Sequence, residues 1–208
     1  MDIPVEVIPP ATTVPGSNSV TDIIKTGVSD PCMLAAIDMA LADGLQNTIA
    51  GVFNQMFAGT DEFTIEFHEG DLPLDVSADT RTASPAIIEI TLNRLTLPGS
   101  SREYIVATIL HEAIHAMYDA KWNLAGRPKV IFSEYVQHNL MASKYVEEMN
   151  AALRSIFPMM SDADAIALAW GGLYWTTSWS ALNPTVANNY LLAIAEYDQN
   201  HTKGNRCR

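Results

Sequence analysis

The chain has 208 residues, enough for one substantial hydrophobic core. Its 24 acidic side chains outnumber its 12 lysines and arginines, and the net charge of −12 opposes electrostatic capture of nucleic acid. No run of about 18 uninterrupted apolar residues is present, so the sequence predicts no membrane span. The start Met1-Asp2-Ile3-Pro4 shows neither the basic nor the apolar stretch of a signal peptide.

Residues 1–20 carry Pro4, Pro9, Pro10 and Pro15 among Thr, Ser and Gly, and read as an extended arm or linker. One folded domain is expected over residues 21–208. Pro31 opens a helix expected over 32–57, with Leu34, Ile37, Leu41, Leu45, Ile49 and Phe53 apolar and Gly44 and Gly51 weakening it locally. Glu62 to His68 alternates polar and apolar residues as a half-buried strand does. Residues 69–85 read as turn-rich, with His68 as a turn histidine, and Ile87 to Leu92 as a second strand. Helices are then expected over 101–121, 131–156, 162–170 and 184–200, with Ser100 or Ser101 capping the first. Gly126-Arg127-Pro128 separates the first two of these helices, and Pro184 suits the first turn of the last. The order predicts a helix-rich α+β fold with a small sheet ahead of the helix over 101–121. Cys32 and Cys207 either join the tail to the first helix as a disulfide or are unrelated thiols.

The helix over 101–121 contains His111-Glu112-Ala113-Ile114-His115, the pattern H-E-x-x-H. Histidines four residues apart project from one face of a helix, so both imidazoles can grip one ion. Glu112 lies about 100° round the helix from His111, placed to act on water without ligating the ion. Ile105, Ile109, Leu110, Ala113, Ile114 and Met117 surround the motif with apolar residues. Burying two imidazoles and a carboxylate there with no task would cost several kcal/mol. The blander alternative is a pair of hydrogen-bonded core histidines beside a solvated glutamate.

Catalytic zinc takes three protein ligands and keeps one position open. A third ligand in the pattern H-E-x-x-H-x-x-G-x-x-H is excluded, because Tyr118 and Lys121 occupy those positions. Asp119 lies about 12 Å along the axis from His111, too far to share the ion, and reads as a surface acid or as a partner of a ligand imidazole. On the next helix, His138 and Glu134 project from one face, and either can supply the third ligand. His201 reads as a solvated tail residue. Trp170-Gly171-Gly172-Leu173-Tyr174-Trp175 reads as a glycine-permitted turn packed by aromatics, with Tyr174 as a candidate donor to an oxyanion.

The runs I-V-A-T-I-L-H-E-A-I-H-A-M, H-N-L-M-A-S-K-Y-V from His138 and A-L-A-W-G-G-L from Ala167 resemble a Bacteroidetes group of zincin-like metallopeptidases. More broadly, the arrangement is similar to SprT-like proteins and gluzincins, whose third ligand comes from a later helix. The resemblance covers about half the chain. It implies a metallopeptidase fold with Zn2+ as cofactor, and it favours His138 as third ligand. The expected function is zinc-dependent hydrolysis of peptide bonds through a metal-activated water, with Glu112 as general base and a peptide or protein as substrate. The rivals are a non-catalytic binding domain of the same fold and a peptidase-like toxin or effector domain of a larger exported protein.

Overall fold

The computed structural model describes residues 23–42, 48–57, 63–124, 133–198 and 202–206. The expected N-terminal arm, the break at 126–128, His201 and Cys207 lie outside the described residues. Cys32 is disulfide-bonded. No helix among the described residues is long and apolar enough to cross a membrane.

The fold is α+β and helix-rich, with its four-stranded sheet built from strands that all precede the H-E-x-x-H helix. The strands are β1 (Ile23–Gly27), β2 (Thr64–Gly70), β3 (Ala78–Ser84) and β4 (Ile87–Asn93), in spatial order β1-β2-β4-β3. β1, β2 and β4 are parallel, and β3 runs antiparallel to β4 at the edge. Alternation decides which face is covered: Ile65, Phe67, Ile88, Ile90 and Leu92 are buried, while Glu66, His68 and Glu89 occupy the other face. His68 is therefore a strand residue paired with Thr91, and the turn expected there begins later.

Helix α1 (Pro31–Ala40) opens under an Asp30 cap, whose carboxylate accepts from the Cys32 and Met33 amides. Helix α2 (Thr48–Phe57) follows, so the single helix expected over 32–57 is two; its first half closes at Leu41, with φ −107 and ψ 8. Helix α3 (Arg102–Leu124) carries the motif. Ser101 caps it, accepting from the Tyr104 amide at 3.2 Å. From Ile105 to Met117 only Thr108 is not buried, which identifies α3 as the central helix of the core rather than an amphipathic surface one.

The segment expected as one helix over 131–156 is α4 (Glu134–Lys144) and α5 (Val146–Ile156), divided at Tyr145 with φ −116 and ψ −5. Helix α6 (Asp162–Ala169) is capped by Ser161. A four-residue helix, α7 (Thr177–Ser180), precedes α8 (Pro184–Tyr197), which Asn183 caps. The C-terminal segment returns to the start of α3. There Glu103, 4 % exposed, accepts from the Asn205 amide at 2.7 Å, and the Arg102 amide donates to the Asn205 carbonyl at 2.8 Å. The metal-motif helix is thus held by the sheet, the surrounding helices and the chain's own tail.

Candidate metal centre

His111 and His115 lie one turn apart on α3, and α4 brings His138 over them. The three Nε2 atoms form a near-equilateral triangle: His111 to His115 is 3.1 Å, His111 to His138 is 3.1 Å, and His115 to His138 is 3.0 Å. All three residues are at least nine-tenths buried. Three ligands on a tetrahedral zinc at about 2.0–2.1 Å stand about 3.4 Å apart, within a few tenths of an ångström of this triangle. The Nε2 atoms face one another with no carbonyl or hydroxyl between them. Each neutral ring has one acceptor nitrogen, so three converging Nε2 atoms cannot satisfy each other, whereas a cation can.

Glu134 does not share this point. Its side chain is 71 % exposed, and its Oε1 lies 3.8 Å from the other ring nitrogen of His138, Nδ1. His138 therefore joins His111 and His115, and Glu134 sits outside them as an outer neighbour.

Each ring of the triad is held from behind. The His111 ring rests against Gly172, whose φ of +78 is left-handed, and a Cβ there would stand 3.1 Å from His111 Cε1. His138 is packed edge-on by Trp175, with ring centroids 4.8 Å apart. Trp175 Nε1 in turn donates to the Gly172 carbonyl at 2.9 Å. The Thr177 amide, just after the turn, donates to Asn139 on α4, so the segment that follows the turn is tied to the helix bearing His138. The Trp170–Trp175 turn is thus part of the site's wall as well as a packed turn. Behind His115, Nδ1 meets Gln137 Oε1 at 2.5 Å, Gln137 Nε2 donates to Asp119 at 2.8 Å, and Thr82 donates to the second Asp119 oxygen at 2.9 Å. Asp119 is therefore tied to His115 through Gln137 and is not a free surface acid.

Burial holds the His111 imidazole well below the ordinary histidine range, with His115 and His138 adding like-charge repulsion to its protonated form. Burial first, and His115 second, lower His138 to about 4. Both rings are thus neutral at physiological pH, the state that ligates metal. Glu112, 7 % exposed, is pushed upward by burial, opposed by His115 and by a 2.7 Å hydrogen bond from the Thr80 hydroxyl. A carboxylate raised by desolvation is a better proton acceptor than a solvated one.

The triad opens into a cavity of about 690 Å³, within the range of small-molecule and peptide sites. Residues of the edge strand β3 and of the turn bearing Gly172, Tyr174 and Trp175 line it. Tyr174 is 38 % exposed, and its hydroxyl is shifted upward by burial, so it stays protonated and able to donate.

Sequence reasoning missed β3 as a strand, and with it Thr80; it also missed Gln137 as a member of the site. Gln137 stands next to His138 on α4, but its partner is on α3, so only the packing of the two helices shows its part. No family model, curated protein or solved structure matches the chain.

Proposed function

We propose that this protein is a zinc-dependent metallopeptidase. The observation that carries the reading is the convergence of three buried imidazole Nε2 atoms to within 3.1 Å, with the Glu112 carboxylate on the same helix and in the same cavity. His111, His115 and His138 would hold the ion. Nitrogen donors in a three-ligand set suit zinc, and a fourth position is left for water or substrate. Zinc in such a site supplies Lewis-acid polarisation of a carbonyl and lowers the pKa of water to near neutrality.

The chain's own residues do the rest. Glu112 takes the proton from the attacking water and passes it to the departing amine nitrogen, and its raised proton affinity suits both transfers. The Thr80 hydroxyl keeps one carboxylate oxygen of Glu112 in place and leaves the other for the proton. Tyr174, protonated and lining the cavity, is the candidate donor to the developing oxyanion. A peptide as substrate is supported by β3, an edge strand whose residues line the cavity and whose outer side can receive an extended chain by strand addition.

The test is cleavage of an unstructured, fluorescein-labelled protein by zinc-loaded wild type and by Glu112→Gln. Wild type cleaves it. The variant keeps its zinc and loses about 10²- to 10⁴-fold in rate, the usual contribution of a positioned general base. Full activity in the variant overturns the mechanism.

A further inference from the structure

The geometry points to Asp119 and Gln137 as positioning residues that select the metal-binding tautomer of His115. A neutral imidazole carries one proton. Only the ring protonated on Nδ1 presents a lone pair at Nε2, where the other two ligand nitrogens converge. The three rings differ in what meets Nδ1. Those of His111 and His138 have no hydrogen-bond partner there among the described residues, and Glu134 Oε1 stands 3.8 Å from His138 Nδ1, beyond hydrogen-bond reach. His115 has the side-chain amide of Gln137, which can show either oxygen or NH2 to a neighbour.

What fixes the amide is its far end. Gln137 Nε2 stands 2.8 Å from Asp119 Oδ1, and a carboxylate only accepts. The NH2 group must therefore point at Asp119, so Oε1 faces His115 Nδ1 and accepts its proton. Thr82 holds the carboxylate itself, donating to Oδ2 at 2.9 Å. The instruction runs from Thr82 through Asp119 and Gln137 to His115, and ends in a lone pair on Nε2. Remove the Asp119 carboxylate and the amide is free to turn over. Its NH2 then donates to Nδ1, the proton moves to Nε2, and His115 no longer ligates. Asp119 lies one turn beyond His115 on α3, so it acts on the ion only through this relay.

The inference rests on the zinc reading, and its readouts are tautomer and affinity rather than cleavage. In metal-free, 15N-histidine-labelled protein, long-range proton–nitrogen correlation spectra distinguish the two tautomers. Wild-type His115 is expected to show the proton on Nδ1, and Asp119→Ala a mixture or the Nε2-protonated form. Zinc affinity, measured by competition with a chromophoric chelator, is expected to fall about 10- to 100-fold in Asp119→Ala, the range for outer partners of ligand histidines. Asp119→Asn is expected to restore both readouts, since its carbonyl can accept from Gln137 while its NH2 donates to Thr82. Wild-type tautomer and affinity in Asp119→Ala overturn the proposal. So does an Nε2 proton on His115 in the wild-type protein, a measurement that needs no variant to fold. If wild type binds no zinc but His115 shows the Asp119-dependent Nδ1 proton, the peptidase reading fails and the relay stands.

Discussion

Gly172→Ala isolates the packing of the turn against the metal site. Two costs follow from the structure. Gly172 has φ +78, and an alanine in the left-handed region costs about 1–2 kcal/mol. The added Cβ would also stand 3.1 Å from His111 Cε1, inside the roughly 3.5–4.0 Å of an ordinary carbon contact, so the imidazole must give way by a few tenths of an ångström. Each kcal/mol moves Tm by about 2–4 °C in a chain of this size, so the metal-free variant should melt about 2–8 °C lower. The displaced ligand should also weaken zinc binding by about tenfold or more, as perturbed outer support does. Thermal melts without metal and chelator competition with zinc separate the two effects. Gly204→Ala is the control, because Gly204 has φ +83 and a Cβ there would crowd Ser101 and Glu103 at the start of α3, away from the histidine triad. It should lower Tm and leave zinc affinity unchanged. Equal zinc affinity in Gly172→Ala and wild type would show that His111 does not depend on this turn.

Thr80→Val keeps the shape of the β3 residue and removes the hydroxyl that donates to Glu112 at 2.7 Å. Turnover should fall while zinc content stays at one per chain, as a parallel metal assay and peptidase assay would show. The metal-free protein should also lose stability as pH falls from about 6.5, the ordinary histidine value, toward about 4, where His138 titrates in the fold. The sign follows from burial: the unfolded chain takes up protons in this window while His111 and His138 resist them, so acid favours unfolding. Glu112 works in the opposite direction, since its raised affinity favours the fold when protonated, but one carboxyl opposes two imidazoles. Urea denaturation at stepped pH measures the trend; a flat profile from pH 6.5 to 4 would contradict the buried neutral rings.

How much of this was written in the sequence depended on where the signal lay. The motif helix was legible because its chemistry and its apolar surroundings fall within one continuous segment, from Ser101 to Met117. His138 was legible as one of two residues on a helix face, and only the packing of α4 over α3 separated it from Glu134. β3 was not legible, because Ala78-Asp79-Thr80-Arg81-Thr82-Ala83-Ser84 contains no large apolar residue. Its inner-facing threonines make hydrogen bonds to Glu112 and Asp119 instead of filling a core, so the usual alternation of greasy and polar residues never appears. The division between α4 and α5 falls at Tyr145, with neither glycine nor proline to mark it. Gln137 looked like an unremarkable polar residue, and Asp119 stayed open between a surface acid and a partner of a ligand imidazole, because their roles lie in each other's position across two helices.

The most direct test of the central claim is the metal content of protein purified without chelators, by elemental mass spectrometry, beside His111→Ala and His138→Ala. The account predicts one zinc per wild-type chain and strong loss in both variants. A wild type that takes up no metal when zinc is offered, or a His138→Ala protein with unchanged zinc, would contradict it.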